Sequence, residues 1–143
     1  HTDQLSQAVL LRFAESGRLA AHRAHMLEAG RKRLRAVLDA CERHLAGIAS
    51  HTRPMGGMSI WVTFDDAVDT ADLLARAQRE GVGYLRGRHF AVTKEHRSSA
   101  RLSFAGLAPD RIEKGVGILG RIFAEETART RSAVDAGMEP ALV

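Results

Sequence analysis

RPMGGMSIWVTF, residues 53–64, is the stretch that decides the fold. Its proline and paired glycines break any helix, and Ile60, Trp61, Val62, Thr63 and Phe64 behind them are strand formers. Asp65-Asp66 ends that strand. Upstream the texture is helical. Leu5, Val9 and Phe13 recur at four-residue spacing with Leu10 alongside, one apolar face of a helix over 5–16 that Gly17 stops. A longer helix is expected from Arg18 to Ile48, on the apolar positions Leu27, Gly30, Leu34, Val37, Leu38, Cys41, Leu45 and Ile48. Downstream, Asp69 or Thr70 caps a short helix that stops at Gly81. VGYL (82–85) reads as a second strand leading into the basic loop RGRHF (86–90). In the third strand, SARLSFAG (99–106), Ala100, Leu102 and Phe104 alternate with Arg101, Ser103 and Ala105. Pro109 opens a last helix with Asp110 in its first turn and Ile112, Val116, Leu119, Ile122 and Phe123 as its buried stripe. Beyond Glu126 the pattern dissolves, which predicts a frayed tail over 127–143. The order is α+β: a small, mostly antiparallel sheet covered by helices.

Composition narrows the classes. A chain of 143 residues, 45% hydrophobic, suits one soluble domain and needs neither disulfides nor a metal to hold a core. The single cysteine, Cys41, rules out a disulfide framework. No apolar run approaches the roughly 20 residues of a membrane span, and no signal-like segment opens the chain. The net charge of +4 is too small to imply nucleic acid by itself. His1 in place of Met suggests a piece of a longer chain.

Residues that carry chemistry are sparse. Lys32 and Lys114 sit on helices among other charges and Lys94 in a polar loop, so none has the apolar setting that makes a lysine nucleophilic. Ser98 and Ser99 lack the G-x-S-x-G turn of a serine hydrolase, and Cys41 on an apolar helix face reads as an inert core residue. His22, His25 and Glu28 share a helical face, yet no H-E-x-x-H pattern or cysteine pair backs a metal site, and none is expected. GVGYLRG is no dinucleotide fingerprint. The run Arg31, Lys32, Arg33, Arg35 reads as a solvated helix face, with nucleic-acid contact through Arg31, Arg33 and Arg35 as its rival. Arg101 stands apart, flanked by Ala100 and Leu102. Spacing alone allows two readings: an edge residue facing solvent, or an arginine held on a rigid strand to grip a carboxylate.

Several segments in order resemble fold-type I pyridoxal-phosphate aminotransferases. P-M-G-G-M-S-I-W-V (54–62) is similar to the family's P-x-G-G-M-x-x-W-V, and D-T-A-D-L-L-A-R-A-Q-R-E-G-V (69–82) follows at the proper distance. G-R-H-F (87–90) is similar to its P-G-x-x-F loop, A-R-L-S-F-A-G-L (100–107) to its L-R-L-x-F-A, and P-D-R-I-E-K-G-V-G-I-L (109–119) also fits. The resemblance covers nearly all of residues 4–125. Two departures stand out: Arg86 replaces the loop's usual proline, and H-R-A-H-M-L (22–27) replaces H-x-R-R-M-R.

The resemblance implies the aminotransferase class I/II small C-terminal domain over residues 1–126. The lysine, aspartate and phosphate cup that hold pyridoxal 5'-phosphate belong to the family's large domain, so no cofactor is expected on this segment, and no catalytic residue. Arg101 matches the family's carboxylate-binding arginine. F-A-G-L, A-Q-R-E-G-V and S-Q-A-V-L-L-R-F look most like the regulators in which an aminotransferase-like domain follows a GntR-type winged helix–turn–helix, the MocR type. That implies a cytoplasmic, homodimeric parent that binds DNA through its missing N-terminal domain. A genuine aminotransferase acting on an amino acid is the alternative. A segment cut from its large domain should also expose an apolar patch.

Overall fold

A computed structural model describes residues 3–64, 68–92 and 96–137, with side chains to residue 132. Asp65-Asp66, expected to end the first strand, and Lys94 lie outside the described residues. Helix α1 (Gln4–Glu15) starts where the Asp3 carboxylate accepts from Leu5 N–H, and Gly17, at φ +76°, makes the left-handed break before α2 (Arg18–His44). Strands β1 (Ala49–His51) and β2 (Ser59–Phe64), helix α3 (Thr70–Arg79), strands β3 (Leu85–Arg86) and β4 (Ser99–Ser103), and helix α4 (Pro109–Gly137) follow. The sheet is antiparallel throughout, in the order β1-β2-β4-β3, so the α+β expectation holds.

One face of the sheet and one stripe of each helix after residue 36 build the core. Ile60, Val62 and Phe64 of β2 and Ala100 and Leu102 of β4 point inward, as the period of two requires. Against them pack Val37 and Cys41 of α2 and the predicted stripe Ile112, Val116, Leu119, Ile122 and Phe123 of α4. Phe123 stacks on Phe64 with ring centres 3.7 Å apart. Burial pushes the Cys41 thiol up to about 12, which keeps it protonated and inert. Asp69 caps α3 by accepting from Ala71 N–H, and it lies below the usual carboxylate range because of that bond and the Arg97 guanidinium beside it.

Three sequence expectations need correction. Helix α2 ends at His44 rather than Ile48: Leu45 is buried as its cap, and the chain turns at Gly47 (φ +77°) into β1, too short to show an alternation. The strand expected at 82–85 shrinks to Leu85–Arg86, because Val82 N–H is spent on Ala77 O and Tyr84 turns inward to donate to Thr70 O at 2.7 Å. Helix α4 runs past Glu126 to Gly137; Thr127 is buried, and its hydroxyl donates back to Phe123 O, hiding a helical turn behind a residue that breaks the apolar pattern. The apolar faces of α1 and of the first half of α2 are not core. Leu5, Val9 and Leu10 stay at least 60% exposed, and Leu27 is also exposed. An exposed apolar surface is what the resemblance implies.

Candidate functional site

The other face of the sheet carries the candidate site. Cα partners in an antiparallel ladder send their side chains to the same face, so the register sets Arg101 of β4 between Trp61 of β2 and Leu85 of β3. Next along, Thr63 and Ser99 meet through their hydroxyls at 3.2 Å. A 3-10 turn at Gly87–His89 then folds Phe90 over the sheet, its ring centre 4.9 Å from the Arg101 guanidinium carbon. Trp61 meets Phe90 edge to face at 5.8 Å and His96 likewise at 5.7 Å. Arg101 thus lies half-buried in a shallow aromatic cup.

Local sequence explains why the cup forms. A side chain at Gly87 would bring its Cβ to 2.6 Å from His96 O and 2.8 Å from Ser99 O, so only glycine lets the turn press against the strand entry. His96 takes φ +69°, a left-handed conformation rare outside glycine, which sets its ring against Trp61. Thr70 Oγ donates to Arg97 O and Ser99 O, tying α3 to the same segment. Arg86, at the proline position of the resembled loop, holds the turn in another way: its Nε donates to His89 Nε2 at 3.2 Å.

The electrostatics of Arg101 are unusual. Its Nε is buried without a hydrogen-bond partner, and among the described residues no carboxylate pairs with the guanidinium. Water satisfies an exposed unpaired arginine at little cost, but a desolvated N–H without an acceptor is unfavourable. With Nε walled off and one face covered by Phe90, the two terminal nitrogens are the part of the fork left for an anion.

The remaining sequence candidates lie elsewhere. His22, His25 and Glu28 are exposed on α2, and Glu28 pairs with Lys32. The described residues contain no group of three His, Cys, Asp or Glu placed to hold a metal, and no helix long and apolar enough to cross a membrane. Arg33 is taken up by the fold, its Nε donating to Leu107 O at 2.9 Å, while Arg31 and Arg35 are exposed. Lys32 and Lys114 are both exposed, so neither fits the carbonyl of pyridoxal phosphate, and no step through that cofactor follows from these residues. A cleft of about 370 Å³ between α2 and the 55–58 loop is lined by Met26, Leu27, Leu34, Met55, Met58 and Phe104. Phe90 as the partner of Arg101, and His96 as the partner of Trp61, are legible only once the fold is known; G-R-H-F (87–90) is the one sequence signal for Phe90.

A small antiparallel sheet backed by helices, with an arginine on its free face that meets no acid among the described residues, defines the class: an α+β domain. No family model matches the sequence. Known proteins do. The aromatic-amino-acid aminotransferase 1 of Thermococcus litoralis is 30% identical over 87% of the chain and 30% of its own length. The HTH-type transcriptional regulator TauR of Rhodobacter capsulatus is 34% identical over 80% of the chain and 24% of its own length. A multiple substrate aminotransferase from Thermococcus profundus superposes with a TM-score of 0.79 at 32% identity, over 86% of the chain and 30% of that structure. The α-aminoadipate aminotransferase LysN of Thermus thermophilus, complexed with N-(5'-phosphopyridoxyl)-L-leucine, gives 0.78 at 28% identity over 90% of the chain and 33% of its own. Homologues of the chain are thus fold-type I aminotransferases and HTH-type regulators, and it has the α+β fold of the matched segment of the aminotransferase structures. It spans about 30% of the length of the first curated relatives it matches.

Proposed function

We propose that this chain is the small domain of the pyridoxal-phosphate-binding effector half of a GntR/MocR-type transcriptional regulator, and that Arg101 holds the carboxylate of an amino-acid ligand. The observation that carries the ligand role is the Arg101 guanidinium itself, half-buried, cupped by aromatic rings and lacking an acid among the described residues. Likeness to TauR and to the regulator YdfD of Bacillus subtilis favours the regulator. In this reading the cofactor is held by other parts of a cytoplasmic, homodimeric parent that contacts DNA through a winged helix–turn–helix. The exposed faces of α1 and early α2 then pack on the rest of the parent.

Likeness to the Thermococcus enzymes favours a second reading, the small domain of a genuine aminotransferase. Arg101 does the same work in both, orienting the bound carboxylate through two parallel N–H bonds.

The decisive experiment is made on the full-length parent. Arg101→Lys is expected to weaken amino-acid ligands about 10- to 100-fold, the worth of a charged two-point contact, with cofactor affinity unchanged. Equal loss of ligand and cofactor would make Arg101 structural. Operator binding by the same protein, modulated by the ligand, marks the regulator; turnover without operator binding marks the enzyme.

A further inference from the structure

We propose that Phe90 is the positioning residue for Arg101, holding its guanidinium flat against the sheet so that only the two terminal nitrogens meet a carboxylate. This rests on the carboxylate reading of Arg101 given above.

An arginine side chain has much rotamer entropy to lose, and it binds a carboxylate tightly only if that loss is met before the ligand arrives. Most arginines tied down in this domain are tied by carboxylates, as Arg97 is by Asp69 and Arg76 by Glu125. A carboxylate at Arg101 would compete with the ligand. The ring of Phe90 instead lies over the guanidinium at 4.9 Å, where it attracts the cation and occupies no N–H. Phe90 is in turn held from the side by Trp61. It is 46% exposed, which is costly for a phenylalanine with only a core-filling role and is explained by a ring placed for what lies beneath it. The Gly87 turn delivers it there, since Phe90 N–H bonds Gly87 O at 2.9 Å and Gly87 is wedged against His96 and Ser99.

The test uses nuclear magnetic resonance of the 143-residue chain, following the Arg101 Nε–H signal, assigned by its disappearance in Arg101→Lys. Wild type is expected to show a ring-shifted, rigid Nε–H and to respond to acetate but not to chloride at equal ionic strength. Phe90→Leu, which keeps bulk at a half-exposed position, should abolish the ring shift, mobilise the side chain and weaken acetate about threefold to thirtyfold. Phe90→Tyr should restore all three. A wild-type Nε–H as mobile as those of exposed arginines, or a Phe90→Leu chain that takes up acetate as wild type does, overturns the positioning role. A rigid wild-type Nε–H that ignores acetate overturns the carboxylate reading instead.

Discussion

Two parts of this domain treat arginine in opposite ways. Where the end of α2 crosses α4, Arg43 and His44 converge on Glu113: Arg43 donates to both carboxylate oxygens, from Nε to Oε1 at 3.2 Å and from Nη2 to Oε2, and His44 Nε2 lies 2.6 Å from Oε1. On the free face of the sheet, Arg101 has aromatic rings and, among the described residues, no acid. The first arrangement neutralises its charges and fastens two helices. The second keeps a cation in place without neutralising it, which contributes little to the fold and leaves an anion to be supplied. A paired arginine in this chain is therefore architecture, and Arg101, desolvated and without an acid among the described residues, is the arginine proposed above to bind a ligand.

The contrast can be broken most severely at the helix crossing. A Cβ on Gly120 would run into the backbone carbonyl of His44, and the rigid partner leaves no room to yield. Gly120→Ala is expected to destabilise the domain by about 3 kcal/mol, read as a lower midpoint of urea unfolding with the slope retained. An unchanged midpoint would mean that the α2–α4 crossing is loose and the paired cluster incidental.

A milder break comes from pH. Hydrogen bonds from Arg43 and then His44 hold Glu113 down at about 2, against 4.5 for the free group. A carboxylate lowered in the folded state stabilises it above the unfolded value, and the benefit drains away as pH falls through the folded one. The stability gap between wild type and Glu113→Gln should therefore be full above about pH 5 and shrink progressively toward pH 2. A gap that is flat with pH would show that Glu113 acts by packing alone.

The smallest effect is expected at Arg101. Arg101→Met removes a desolvated N–H that nothing satisfies while keeping most of the side-chain volume. Stability should stay within about 0.5 kcal/mol of wild type or rise, by the same urea measurement. A loss above about 2 kcal/mol would place Arg101 with the structural arginines and end the distinction.

How much was legible in the chain follows the range of the interactions. The cap at Asp69, the start of α4 at Pro109, the alternation of Ala100, Leu102 and Phe104, and the stripe from Ile112 to Phe123 all appear in the sequence as they appear in the fold. Each rests on residues a few positions apart, where helix and strand periods speak directly. The errors fall where local pattern and tertiary environment disagree. The stripe Leu5, Val9, Leu10 is as regular as any core face, yet nothing among the described residues covers it. Thr127 looks like the loss of a pattern, yet it is buried, because its hydroxyl is satisfied within the helix.

By itself, then, the sequence determined the class of fold and the order of its helices and of β2, β3 and β4, since periodicity, caps and turn chemistry are written in neighbouring residues, while Arg101 stood out from its neighbours with two readings open. What only the tertiary structure decided is the setting of that arginine. Phe90 comes to it through a turn wedged by Gly87 under His96 and Ser99, and Trp61 through the β2–β4 register. Those contacts join residues far apart in the chain. Whether Arg101 meets an acid, a ring or water therefore depends on strand register and loop closure, which no local pattern encodes.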